Sequence, residues 1–342
     1  MLGQRYLWCG AGDGAPGGGC IALSAKLPFR LIYHEGYDLN LGEHVFPSKK
    51  YRMIRGRMLD EGFASDWDFD VPEAASPEQL LLVHDPGWVQ RLERGTLTYD
   101  EILRLEIPYS RQMVQAFKLA AGGTMLAGRR ALRDGIGYNI GGGFHHAFPG
   151  HGEGFCAIHD VAVAIRALQQ EKLVDKALVI DLDNHHGNGT AAIFHGDKSV
   201  MTISLHQFQN YPHEKPPSTI DVHLDDGTGD TEYLKKLSEV YRVALPGFKP
   251  DIVFYVAGAD PYCEDQLGGL NLTLEGLKQR DSIVFETSLT HHVPVAVTLA
   301  GGYAYNVEDT VTIHLNTAKA AAQALTDIGY RSQPAGSGSG AA

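Results

Sequence analysis

Two near-continuous apolar runs end in acidic residues: ALVIDLD at 177–183 and DIVFYVAGAD at 251–260. A strand that is apolar on both faces must be covered on both, and that demand is met in parallel sheets packed between helices. Further β-rich runs fall at 29–34, 137–141, 200–205 and 293–300. Helical patterns at 48–60, 110–133, 160–170, 231–244, 274–290 and 307–325 alternate with them. The alternation predicts βαβ units with right-handed crossovers, giving an α/β fold with a single doubly wound, mostly parallel sheet flanked by helices.

The chain has 342 residues. Between a Gly-rich N-terminal stretch (1–26) and a Gly/Ser-rich tail (330–342) there is no linker, repeat or shift of composition, so 27–329 reads as one domain. The two ends are expected to be flexible extensions. No run approaches the roughly 18 apolar residues of a membrane span. The N-terminal stretch lacks the basic region and apolar core of a secretory signal. Lys and Arg total 29 against 41 Asp and Glu, a net charge of −12, which argues against direct nucleic-acid or anionic-membrane partners. Cys9, Cys20, Cys156 and Cys263 are too scattered for a disulfide framework or a CxxC zinc site, and a reduced, cytoplasmic setting is expected. Oligomeric state leaves no mark in the sequence.

Ligands of such sheets bind beyond the carboxyl ends of the strands. Four of the strand candidates run into loops loaded with Gly, His, Asp and Tyr: GYNI into GGGFHHAFPGHGEGF, ALVIDLD into NHHGNG, FYVAGAD into PYCEDQLGG, and VTLA into GGY. Alternation along a strand puts Asp181, Asp183 and His185 on one side as the strand runs out. Carboxylate and imidazole suit a borderline divalent ion such as zinc, and Asp260 at the end of another strand is the candidate third ligand. Three protein ligands leave a coordination position open. His/Asp ligation also accepts Fe(II) or Co(II). The tandem His145-His146 after three glycines suits proton transfer near neutral pH, Tyr303 after Gly301-Gly302 suits hydrogen bonding to a developing oxyanion, and Phe155 beside Gly154 suits the wall of an apolar channel.

These residues sit in segments that resemble the histone deacetylase superfamily, which shares its α/β fold with arginase. EHVFPSKKY, LLLVHDPGWVQRL, GGTMLAGRRAL, YNIGGGFHHAFPGHGEGFCAIHDVAVAI, VIDLDNHHGNGT, MTISLHQF, AGADPYCEDQLGGLNLT and LAGGYAYN occur in the family's order, and the similarity spans about 27–325. The GGGFHH-containing stretch and the LGGLNLT segment look most like the class IV branch and its bacterial relatives. The resemblance implies that Asp183, His185 and Asp260 bind a catalytic Zn2+ (or Fe2+), that His145 and His146 are the acid/base pair, and that Tyr303 assists the carbonyl. It further implies that Asp181 orients His145, that Phe155, Tyr211, Leu267 and Gly154 shape a substrate tunnel, and that a structural K+ is held by Asp181, Asp183, His185, Ser204 and Leu205.

Asn188 stands where class I members carry an acid next to the second histidine. Asn cannot stabilise an imidazolium by charge, so His146 is expected to be the weaker base. The implied activity is hydrolysis of an acylated amine, with acyl-lysine of proteins or an acylated small amine such as an acetylpolyamine as substrate. Two rivals use the same fold: a two-metal ureohydrolase, and a catalytically silent module that recognises an acyl group.

Overall fold

The computed structural model describes residues 24–329. Of the flexible ends expected at 1–26 and 330–342, all but residues 24–26 lie outside that range. Lys26 is within it, and its backbone amide donates to the Asp68 carboxylate at 2.8 Å.

Eight strands form one sheet: β1 (Arg30–Ile32), β2 (Phe69–Asp70), β3 (Ile136–Asn139), β4 (Ala177–Asp181), β5 (Val200–Gln207), β6 (Ile220–Leu224), β7 (Ile252–Val256) and β8 (Val295–Thr298). Their order is β2-β1-β3-β8-β7-β4-β5-β6, and every pairing is parallel. The helices are α1 (Lys50–Asp60), α2 (Pro77–Leu80), α3 (Pro86–Arg94), α4 (Tyr99–Leu105), α5 (Arg111–Asp134), α6 (Asp160–Gln170), α7 (Asn188–Ile193), α8 (Asp230–Phe248), α9 (Leu274–Thr290) and α10 (Val307–Ile328).

The expected parallel α/β sheet is present. Strands β3, β4, β7 and β8 are buried at every position, so helices must cover both of their faces. These four are consecutive in the sheet, and they are the four that run into the polar loops. The loops therefore converge over the middle of the sheet. Two strands escaped the sequence reading. β2 has two residues and β6 reads IDVHL; both are edge strands, so neither needs an apolar run.

Local signals set the long helices. Ser110 caps α5 by accepting from the Met113 amide, and Thr273 caps α9 by accepting from the Gly276 amide. Inside α9, Arg280 is fully buried and donates to the Gly258 carbonyl at 2.6 Å and the Leu182 carbonyl at 3.4 Å, tying together the segments that follow β7 and β4. Its charge is met by Asp281 at 2.8 Å.

Candidate active site

Asp183 and His185 follow β4, and Asp260 follows β7, the strand beside it. His185 Nδ1 lies 3.1 Å from Asp183 Oδ1 and 3.1 Å from Asp260 Oδ2. Bonds of about 2.0–2.2 Å to one tetrahedral ion would put such donors roughly 3.3–3.5 Å apart, so the spacing fits a divalent metal. The electrostatics fit as well. Burial and the Asp183 charge push Asp260 up to about 7. Burial opposes charge on His185, yet hydrogen bonds to Asp183 and Asp260 raise it well above its ordinary value. Two buried carboxylates call for positive charge between them, and a divalent ion would supply it while leaving His185 neutral.

The glycine after Ala300 is required here. A Cβ on Gly301 would stand 2.1 Å from Asp260 Oδ2 and 2.7 Å from Asp183 Oδ2. The Gly301 amide donates to Asp183 Oδ2 at 2.8 Å.

His145 and His146 come from the loop after β3. Gly143 holds φ +85°, and a Cβ there would strike the Ala300 backbone at 2.7 Å. Asp160, at the start of α6, anchors this loop by accepting from the Gly143 and Phe144 amides and the Thr124 hydroxyl. His145 Nδ1 meets Asp181 Oδ2 at 2.7 Å. Burial would lower the His145 imidazole, but the Asp181 and Asp183 charges raise it to about 9. His146 behaves oppositely: burial, then the neighbouring His145 and His185, hold it well below its ordinary value. Its Nδ1 faces Asn188 Oδ1 at 2.7 Å. Asn188 in turn donates through Nδ2 to Glu153 Oε1. The sequence reading did not include Glu153.

Tyr303 follows β8, and its ring stands edgewise to Phe46 and Phe155, each with centroids 6.0 Å away. Burial and the Asp183 and Asp260 charges raise its phenol well above the ordinary value, so it remains a proton donor. Asp265 accepts from the Tyr303 amide at 2.6 Å and from the Leu267 and Gly268 amides at 2.9 Å. Lys50 is fully buried in α1 and donates to the Ala300 and Gly301 carbonyls at 2.8 and 3.2 Å.

A cavity of about 170 Å³ opens onto these groups and is lined in part by His146, His185, Tyr303, Phe155, Tyr211 and Leu267. Gly154 and Glu106 also line it, so the four expected tunnel residues border the same cavity. Phe155 sits at φ +66°, an uncommon conformation for an aromatic residue, which turns its ring towards Tyr303. Away from the cavity, Asp181 and Ser204 are register partners across β4 and β5, and both are buried, as are Asp183, His185 and Leu205.

Glu153, Glu106, Asp265, Lys50, Arg280 and Asp160 were missed. Only the Arg280-Asp281 pair, a charge pair inside a helical pattern, carried a visible signal.

A buried carboxylate–imidazole cluster beside two adjacent buried histidines, at the carboxyl end of a parallel sheet, is an arrangement suited to a metal-dependent hydrolase. Comparison with known proteins gives the family. The histone deacetylase domain matches residues 44–318, and the chain belongs to that family. It is 31% identical to histone deacetylase 2 of Arabidopsis thaliana over 302 residues, covering 82% of this chain and 78% of that one. It is 33% identical to a probable deacetylase of Methanothermobacter thermautotrophicus, covering 80% and 85%. A Picosynechococcus protein is 40% identical, covering 84% and 96%. The crystal structure of the HDA15 HD domain matches the fold with a TM-score of 0.72 at 24% identity, covering 87% of this chain and 94% of that one. The protein is thus a hydrolase of the deacetylase kind.

Proposed function

We propose that the protein is a zinc-dependent deacylase that hydrolyses the amide of an acyl-lysine side chain. The observation that carries this reading is the meeting of Asp183, His185 and Asp260 within 3.1 Å contacts beside a narrow cavity that also exposes His146 and Tyr303.

Asp183, His185 and Asp260 would hold the ion, whose chemistry there would be to polarise a carbonyl and to lower the pKa of a water towards about 7. His146, held neutral, accepts a proton from the attacking water. His145, held protonated by Asp181, supplies a proton to the departing amine. Opposite perturbation of two neighbouring imidazoles is a way to divide base and acid roles. The Tyr303 hydroxyl donates to the carbonyl oxygen as it becomes an oxyanion. Phe155, Tyr211 and Leu267 exclude water from the arm of the substrate. The products are a free amine and a carboxylate.

The cavity of about 170 Å³ is smaller than the roughly 300–1,000 Å³ of typical ligand pockets, which favours a slender arm with a short acyl group. Glu106, which also lines the cavity, favours a cationic substrate and supports acylated small amines as a second reading. A structural K+ at Asp181, Asp183, His185, Ser204 and Leu205 belongs to the same proposal, supported by the facing of Asp181 and Ser204.

The test is a panel of lysine peptides with acyl chains from about two to sixteen carbons, together with acetylpolyamines and with metal content measured on the same sample. Release of free lysine from short-acyl peptides is expected. Binding of every panel member without product release would overturn the proposal.

A further inference from the structure

His186 and His206 take no part in the reaction above. His186 is the second histidine of the His185-His186 pair, and His206 lies in the SLHQF segment. Both are fully buried.

β5 and β6 pair in parallel, with Ser204 opposite Asp221 and His206 opposite His223. Alternation along each strand puts these four side chains on one face of the sheet edge. The loop after β4 brings His186 onto that face. His186 Nε2 lies 3.2 Å from Asp221 Oδ1, and the His186 and His206 rings stand 4.6 Å apart at 78°. His206 Nε2 lies 3.1 Å from His223 Nδ1. One donor atom each from His186, His206 and Asp221 falls within 4.8 Å of the others, a criterion that Asp183, His185 and Asp260 also meet.

We propose that His186, His206 and Asp221, with His223 at the open side, form a second divalent transition-metal site, which fastens the loop carrying His185 to the edge of the sheet. Two kinds of observation support it. The 3.1–3.2 Å contacts match those in the active-site cluster and lie close to the donor spacing of one small ion. Ser204 Oγ lies 3.0 Å from His206 Nδ1, the outer-shell contact that fixes a ligating imidazole with its other nitrogen free for the metal. Imidazole donors with a single carboxylate select zinc, cobalt or nickel over magnesium or calcium. His223 is exposed, so the ion has a path from solvent.

The site is independent of the deacylase reading and is tested on the intact chain. Protein stripped with a chelator is equilibrated with excess zinc, freed of unbound metal and assayed for zinc per chain, with circular dichroism as the control for folding. The expected result is two zinc ions in the unaltered protein and one in Asp221→Ala. Should Asp221→Ala fail to fold, Asp221→Asn carries the same comparison. A parallel Asp183→Asn/Asp260→Asn variant is expected to hold one ion and, with Co(II) in place of zinc, to show the visible absorption of a four-coordinate site. A zinc count that does not change on substitution of Asp221, or no ion in the Asp183→Asn/Asp260→Asn variant, overturns the proposal. Failure of the deacylase reading would show instead as absent turnover, whatever the zinc count.

Discussion

Glu153 and His146 are joined by a single side-chain amide: Asn188 faces His146 Nδ1 with its oxygen at 2.7 Å and donates its NH2 to the Glu153 carboxylate. Asn188 carries no charge, but the group behind it does. The carboxylate polarises the amide towards His146 and so favours the proton on that ring. Removal of the charge with Glu153→Gln should make His146 a weaker base and lower kcat by about tenfold at most, the value of one pKa unit, with metal content unchanged. Asn188→Asp should act in the opposite sense and move the acid limb of the pH–rate profile upward. Unchanged profiles in both variants would show that the relay has no catalytic effect.

Tyr303→Phe removes one proton donor and leaves the ring packing against Phe46 and Phe155. Loss of one oxyanion donor typically costs about 10²–10³ in kcat. Zinc content should remain that of the unaltered protein. Full kcat in this variant would contradict the assigned role.

Lys50 supports the site from below. Its ammonium binds the Ala300 and Gly301 carbonyls, and burial, opposed by the Asp260 and Asp183 charges, lowers it to about 8 from 10.5. The folded state therefore holds this proton less tightly than the unfolded chain. Protonation of Lys50 opposes folding below about pH 8, and the opposition fades as pH rises from there towards 10.5. Lys50→Met leaves two buried carbonyls without their donor, at a cost of roughly 1–3 kcal/mol each. It also removes the titration. The stability of the unaltered protein relative to Lys50→Met, measured by denaturant unfolding, should increase between about pH 8 and 10.5. A difference that does not vary with pH would contradict the burial argument.

Asp260→Asn should weaken metal binding by more than the roughly 10–100-fold that loss of an outer-shell partner costs, because it removes a proposed direct ligand. Equilibrium dialysis against zinc measures this. Affinity equal to that of the unaltered protein would remove Asp260 from the ligand set.

The sequence made the centre of the molecule legible and left its supports hidden. β4 and β7 announce themselves because burial on both faces forces a continuous apolar run, and the candidate ligands follow directly from their ends. β6 hides because an edge strand tolerates IDVHL, and Asp221 and His223 stayed hidden with it. The supports hide for another reason. Lys50 acts on carbonyls 250 residues away, and Asp265 on an amide 38 residues away. Backbone partners leave no trace in residue identity, so only the folded chain reveals such contacts. Glu153 is a similar case: its role depends on Asn188, which alone reads as a departure from the class I pattern.

The most direct test of the central claim uses Asp221→Ala, so that zinc bound at the sheet edge does not enter the count. This variant is stripped of metal and zinc is returned stepwise while release of lysine from an acyl-lysine peptide is followed. Activity should be absent at first, rise in proportion to zinc, and level off at one equivalent per chain. Full turnover by the stripped protein, or no turnover at any zinc level in folded protein, would contradict the account.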